Sequence, residues 1–218
     1  MKKLCLLMFI IFFLPVNADS LTLSTSSGIT KGYIKNNVVI WEDIPYAEPP
    51  IDNLRWKAPR DIKQNSNIIK PKDGNFCLQR TSNLGGSAQF SDEVVSGNED
   101  CLYLDIYAPS KKSEKLLPVM FWIHGGGNTS GLKDLYDFNK MVKRHDVIVV
   151  RANYRLGPFG WFYHPSIQEY QTGLDKTANF GTLDIIAALK WVKNNISQFG
   201  GDPNNVTIFG ESAGGHNV

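Results

Sequence analysis

The chain has 218 residues, of which 42% are hydrophobic and 20% charged, with a formal net charge of +2. Such proportions suit a globular protein with ample core material, and the length allows one large domain or two small ones. A charge this close to neutral offers no electrostatic footprint for nucleic acid or anionic lipid, so no nucleic-acid partner is expected.

Residues 1–18 stand apart. Lys2 and Lys3 precede an unbroken apolar run from Leu4 to Leu14, then Pro15 and the small-residue site Val16-Asn17-Ala18. That order describes a secretory signal peptide cleaved near Ala18. The alternative, an uncleaved anchor, needs roughly 20 apolar residues, and this run is far shorter. No later stretch is long and apolar enough to span a bilayer, so the expectation is a secreted or periplasmic chain with no stable membrane span after cleavage. Cleavage takes away two lysines and no acids, which brings the formal charge from +2 to 0, and it removes Cys5. Cys77 and Cys101 are then the only cysteines in a chain bound for an oxidising compartment. They are expected to pair, the alternative being two buried free thiols.

Residues 21–46 alternate β-type runs with turn residues, including the Asn36-Asn37 turn before Val38-Val39-Ile40-Trp41. This pattern predicts a small antiparallel meander. The proline-rich stretch that follows is read as ordered loop, because Tyr46 and Trp56 carry large surfaces to bury. From Gly74 to Asp100 the chain is rich in Gly, Ser, Asn and Asp and bracketed by Cys77 and Cys101. A long loop pinned at its base is expected there, of the kind that lies over binding sites.

Beyond Cys101 the pattern changes. Strands are predicted at Leu102–Tyr107, Val119–Ile123, Val147–Val150 and Val206–Phe209, with helices around 137–143 and over 180–199. Strands alternating with helices predict an α/β fold with a mainly parallel central sheet. In the second helix the apolar stripe is read as Phe180, Leu183, Ile186, Ala187, Trp191 and Ile196. Sequons occur at Asn128, Asn195 and Asn205 and are expected to be silent, the first in a glycine loop and the last at a buried strand entry.

Two motifs carry chemistry. The last strand runs into Gly210-Glu211-Ser212-Ala213-Gly214, a Gly-x-Ser-x-Gly pattern that sets a serine on a sharp strand-to-helix turn, with Gly210 and Gly214 at positions too crowded for a side chain. Ser212 is the candidate nucleophile. The strand at 119–123 runs into His124-Gly125-Gly126-Gly127, whose N–H groups can converge on a developing oxyanion together with the N–H of Ala213.

With those motifs in their order, the chain from about Ser24 to Val218 resembles the type-B carboxylesterases, which share their fold with the cholinesterases. The resemblance rests on Ile44-Pro45-Tyr46-Ala47, Leu54-Arg55-Trp56, Glu99-Asp100-Cys101-Leu102-Tyr103-Leu104, Trp122-Ile123-His124-Gly125-Gly126-Gly127, Asn153-Tyr154-Arg155-Leu156-Gly157 and Phe199-Gly200-Gly201-Asp202-Pro203 through to Gly214. It implies that residues 19–218 form the N-terminal portion of an α/β-hydrolase domain, with the C-terminal part of the fold outside them. It implies hydrolysis of small-molecule carboxylic esters through an acyl-enzyme, with no cofactor or metal. Position by position it assigns Ser212 as nucleophile, Gly126, Gly127 and Ala213 as oxyanion donors, and Cys77 with Cys101 as a disulfide.

Departures narrow the expectation. Cholinesterases carry a tryptophan in the disulfide loop that holds a quaternary ammonium, whereas residues 78–100 have no Trp and only Phe90, so a choline-ester specialist is not expected. A serine also needs a base and an orienting carboxylate, which in this fold follow the nucleophile in the order Asp or Glu, then His. The chain reaches only Val218, so both are expected in further chain. His124, His145, His164 and His216 are not expected to replace them, and Glu211 is expected to be a buried, paired carboxylate. The alternative reading is an inactive truncated product or a non-enzymatic binding relative of the same fold.

Overall fold

The computed structural model describes residues 21–63, 66–72 and 74–218. The expected signal peptide lies outside these residues. The turn-rich start folds into two hairpins with different destinations. β1 (Thr22–Thr25) and β2 (Gly28–Lys31) pair antiparallel as a separate two-stranded sheet. β3 (Tyr33–Lys35) and β4 (Val38–Pro45) pair antiparallel and join the main sheet. Asn36 and Asn37 between them have φ of 52° and 62°, as a tight hairpin turn with the strand twist requires.

Within the loop that follows, β5 (Gln79–Arg80) and β6 (Val95–Ser96) form a short antiparallel pair. The disulfide Cys77–Cys101 closes this loop, with its Cα atoms 4.9 Å apart. Next come β7 (Tyr103–Pro109), β8 (Leu117–Ile123), α1 (Asn139–His145) and β9 (Ile148–Ala152). Short helices α2 (Gly157–Gly160) and α3 (Pro165–Gln168) precede the long α4 (Phe180–Asn195). β10 (Gly201–Gly210) and α5 (Ala213–His216) complete the described chain.

The six-stranded sheet has the order β10-β8-β9-β7-β4-β3. β10, β8 and β9 run parallel, while β7, β4 and β3 are added antiparallel. The parallel part lies where the two motifs are, as the expected α/β-hydrolase sheet requires. Apolar runs in β4, β7, β8 and β9 are covered on both faces, as expected of a sheet with crossover helices, while the run of β10 is half-buried. Leu104, Ile106, Val119, Phe121, Ile148 and Val150 pack against Ile185, Ala188, Trp191 and Val192 of α4. On the other face Val38, Ile40, Tyr107, Trp122 and Val149 meet Phe138 and Val142 at α1.

The buried stripe of α4 is turned from the one expected. Asp184, Ile185, Ala188, Trp191, Val192 and Asn195 are buried, and Ile186 is 42% exposed. The cause is Asp184. Its carboxylate accepts from Arg155 Nε and Nη2, both at 2.7 Å, and from the Arg155 backbone N–H at 3.1 Å. A paired aspartate can lie inside, and placing it outside rotates the whole pattern.

A second buried ionic group fixes the segment after the glycine loop. Lys133 Nζ lies 3.0 Å from the carboxylates of both Asp43 and Asp105, and Arg151 Nε donates to Asp105 at 2.8 Å. Burial alone would raise the Asp105 carboxyl, but Lys133, Arg151 and the Asp43 N–H bring it below the ordinary carboxylate range. The cluster joins β4, β7, β9 and the Lys133 segment in one charge network. Tyr46 is buried and donates to the Asn153 carbonyl at 2.7 Å, and Trp56 stacks on Phe162, so the proline-rich stretch is ordered. No helix of the described residues is long and apolar enough to cross a membrane.

Candidate functional site

Parallel pairing places the two motifs side by side. In the register of β10 on β8, Phe209 lies opposite Trp122 and Gly210 opposite Ile123, so both strands leave the sheet at the same carboxyl edge. Doubly wound sheets bind ligands at that edge. Ser212 has φ 53° and ψ −122°, a conformation that costs a non-glycine residue backbone strain. The crowding expected at the flanking glycines is present. A Cβ on Gly210 would overlap the Gly214 carbonyl group, and one on Gly214 would overlap the carbonyl oxygen of Ile123. Helix α5 therefore packs backbone to backbone against the end of β8.

The glycine loop meets the elbow directly: a Cβ on Gly125 would lie 3.1 Å from the Ser212 Cβ. Gly126, Gly127 and Asn128 have φ of 101°, 64° and 59°, a succession of left-handed conformations that glycine makes accessible. The Gly126 carbonyl accepts from the N–H groups of Thr129 and Ser130 at 3.1 and 3.0 Å, which ties that oxygen into the turn. The N–H groups of Gly126, Gly127 and Ala213 donate to no protein acceptor among the described residues. Ser212 is exposed and Ala213 buried.

His124 is fully buried and stacked on Tyr154, with ring centroids 4.3 Å apart. Its Nδ1 lies 2.9 Å from the Gly125 carbonyl, which can only accept, so Nδ1 carries the proton. Burial pushes its pKa down to about 4, so the ring is neutral. A structural hydrogen bond inside the glycine loop is its use here. His145, His164 and His216 are exposed; the His216 backbone N–H donates to the Ser212 carbonyl at 3.2 Å, but no histidine side chain hydrogen-bonds the Ser212 hydroxyl among the described residues. Glu211 corrects the expectation of a buried, paired carboxylate: it is exposed, at the end of β10, beside whose outer edge no strand pairs among the described residues.

Beside the loop runs a groove of about 500 Å³, lined among others by Leu78, Thr81, Thr129, Leu156, Pro158 and Phe159. Its walls are the disulfide loop on one side and the turn into α2 on the other. Among the described residues no cluster of His, Cys, Asp or Glu is placed to hold a metal ion. The sequons differ in setting. Asn195 is buried with its amide bonded to Ser26 and Trp191, whereas Asn205 is exposed on β10, contrary to the buried entry expected.

Two features of the site were not foreseen from sequence. Gln79 clamps the disulfide loop to Gly131, and Asn217 bonds Asn128 across the two motifs. A lone amide residue beside a cysteine or a glycine run carries no pattern that distinguishes it from a surface group. For the charge network a signal did exist: Asp105 and Arg151 are opposite charges set within apolar strand runs.

The sequence model of the Carboxylesterase family matches residues 19–218. The chain is 44% identical over 198 residues to the para-nitrobenzyl esterase of Bacillus subtilis (strain 168), covering 89% of this chain and 39% of that protein. It is 36% identical over 229 residues to an acetylcholinesterase of Leptinotarsa decemlineata, covering 94% of this chain and 36% of that protein. Among solved structures, a thermophilic pNB esterase superposes with a TM-score of 0.79 at 43% identity, over 91% of this chain and 40% of that one. A Geobacillus stearothermophilus carboxylesterase gives 0.77 at 35% identity, over 91% and 40%. The chain thus spans well under half the length of these relatives.

Proposed function

The chain belongs to the carboxylesterase family, and on that premise we propose that it supplies the nucleophile and the oxyanion hole of a serine ester hydrolase. Ser212 attacks the ester carbonyl, and the N–H groups of Gly126, Gly127 and Ala213 receive the oxyanion that develops. The observation that carries this reading is the elbow itself: Ser212 sits at positive φ on a turn packed against the glycine loop. Attack forms an acyl-enzyme and releases the alcohol, and water then releases the acid. Removing one oxyanion donor costs on the order of 10²–10³ in rate in enzymes of this kind.

The acid and the base come from chain beyond residue 218, since no histidine side chain engages the Ser212 hydroxyl among the described residues. That same observation favours the second reading, an inactive product or a binding relative. A downstream Asp or Glu and then a His separates the two. The absence of tryptophan from residues 78–100, together with the cationic Arg80 in the wall of the groove, counts against choline esters. Export through a signal peptide cleaved near Ala18 agrees with the Cys77–Cys101 disulfide, which forms in oxidising compartments. The test is a fluorophosphonate probe applied to the full-length protein that carries this chain, with the adduct mapped by mass spectrometry. Labelling of Ser212 is expected, and labelling that is absent or falls elsewhere would sink the assignment.

A further inference from the structure

The two halves of the site are joined by side chains as well as by packed backbone. Asn217, immediately after α5, donates from Nδ2 to Asn128 Oδ1 at 2.9 Å, and the Tyr154 hydroxyl lies 3.5 Å from that same oxygen. Tyr154 gives its own proton to the His124 carbonyl at 2.6 Å. The Gly157 N–H donates to the Asn128 carbonyl at 2.7 Å. Asn128 thus has one oxygen bound to the elbow helix and another bound to the turn into α2, at a φ of 59° that asparagine tolerates better than most residues.

Resting on the esterase reading above, we propose that Asn128 and Asn217 are positioning residues for the oxyanion hole, their amide–amide hydrogen bond setting the distance between the glycine-loop donors and the Ala213 donor. The donors come from two separate elements. Gly126 and Gly127 lie just before Asn128, and Ala213 lies one helical turn before Asn217, whose N–H donates to the Ala213 carbonyl at 3.0 Å. The amide pair therefore bridges the two elements close to the groups that must converge. Such donors act only at roughly 2.7–3.1 Å from the oxyanion. A shift of about 1 Å can cost on the order of 10²-fold in rate. Ground-state binding of the ester depends little on that distance, so the loss falls on kcat and leaves KM near its starting value.

The test uses the full-length protein carrying this chain, with Asn128→Ala, Asn217→Ala, the double variant and Asn217→Leu, which nearly keeps the branched shape of Asn217 but can neither donate nor accept. Turnover of a short-chain aryl ester and inhibition by a trifluoromethyl ketone, whose serine adduct carries an oxyanion, are measured together with thermal unfolding. Each alanine variant is expected to lose about 10- to 100-fold in kcat with KM changed by less than about threefold. Ketone affinity should fall in step with kcat/KM. The double variant should be no worse than the weaker single one, because one bond has been broken in each case. Asn217→Leu should match Asn217→Ala, and being close in shape to the parent it serves as the folded comparison if an alanine variant unfolds. Unchanged kcat, a rise in KM alone, or additive losses would overturn the proposal. Parent protein without Ser212-dependent turnover would overturn the esterase reading and this inference with it, whereas an active parent with unaffected variants overturns this inference alone.

Discussion

Gln79 and Gly131 pair as residues on neighbouring strands do: the Gly131 N–H donates to Gln79 Oε1 at 2.8 Å, and Gln79 Nε2 donates to the Gly131 carbonyl at 2.8 Å. Gln79 is buried and lies two residues from Cys77, so one side chain fastens the disulfide-closed loop to the segment that ends the glycine loop. Replacing it by leucine would leave both backbone groups of Gly131 without these partners in a buried place. Each unsatisfied group costs about 1–3 kcal/mol, so with two of them Gln79→Leu is expected to lower stability by roughly 2–6 kcal/mol. Urea denaturation of parent and variant measures this. A midpoint within error of the parent would show that the clamp is dispensable.

His124 makes stability depend on pH in a known direction. Its folded pKa is about 4 against an ordinary 6.5, and burial is the cause. Between those values the unfolded chain binds a proton that the folded chain excludes, so stability is full above about pH 6.5 and falls as the pH drops towards 4. The whole effect is on the order of 3 kcal/mol. Comparing parent with His124→Gln across this range isolates the contribution from that of other groups. The difference between the two proteins should change with pH between 4 and 6.5 and be constant above. Parallel stability curves would sink the assignment of a neutral, buried ring.

The Arg155–Asp184 pair ties the turn after β9 to α4, with side chains 3% and 0% exposed. Removing one partner of such a pair leaves a buried charge uncompensated, which costs about 3–5 kcal/mol. Asp184→Ala is therefore expected to be far more damaging than the combined Arg155→Met, Asp184→Leu change, which removes both charges and keeps apolar volume. Chemical denaturation of the two variants decides the point. Equal losses would mean that packing around α4, and not the lone guanidinium, sets the cost.

These residues also show where sequence reading reaches its limit. Strand runs, the serine elbow, the glycine loop and the cysteine pair are local patterns, and each is found where the pattern predicts it. Strand direction is not local: the run at Tyr103–Pro109 has the same apolar character as Leu117–Ile123, yet it pairs antiparallel with β9 while β8 pairs parallel. Partners distant in sequence are hidden in the same way. Asp184 reads as a surface residue until Arg155 is beside it, and Glu211 reads as buried only if something covers the outer edge of β10. Asn128 and Asn217 have no local signature, since what joins them is the approach of two elements whose chain positions differ by 89.

The candidate nucleophile lacks a base within the described residues, and that has a measurable consequence. A serine hydroxyl is a weak nucleophile until its proton is taken. Donors at Gly126, Gly127 and Ala213 stabilise an oxyanion only once attack has begun, so they do not replace that step. Residues 1–218 expressed alone are therefore expected to hydrolyse a short-chain aryl ester no faster than the same chain with Ser212→Ala. The outer edge of β10, unpaired among the described residues and with Val206, Ile208 and Phe209 half-buried, is also a template for pairing between chains, so this piece should associate on concentration. Light scattering follows the second effect and nitrophenol release the first. Turnover clearly above the Ser212→Ala control would place a base within these residues. His216, exposed and one helical turn beyond Ser212, would then be the residue to replace next.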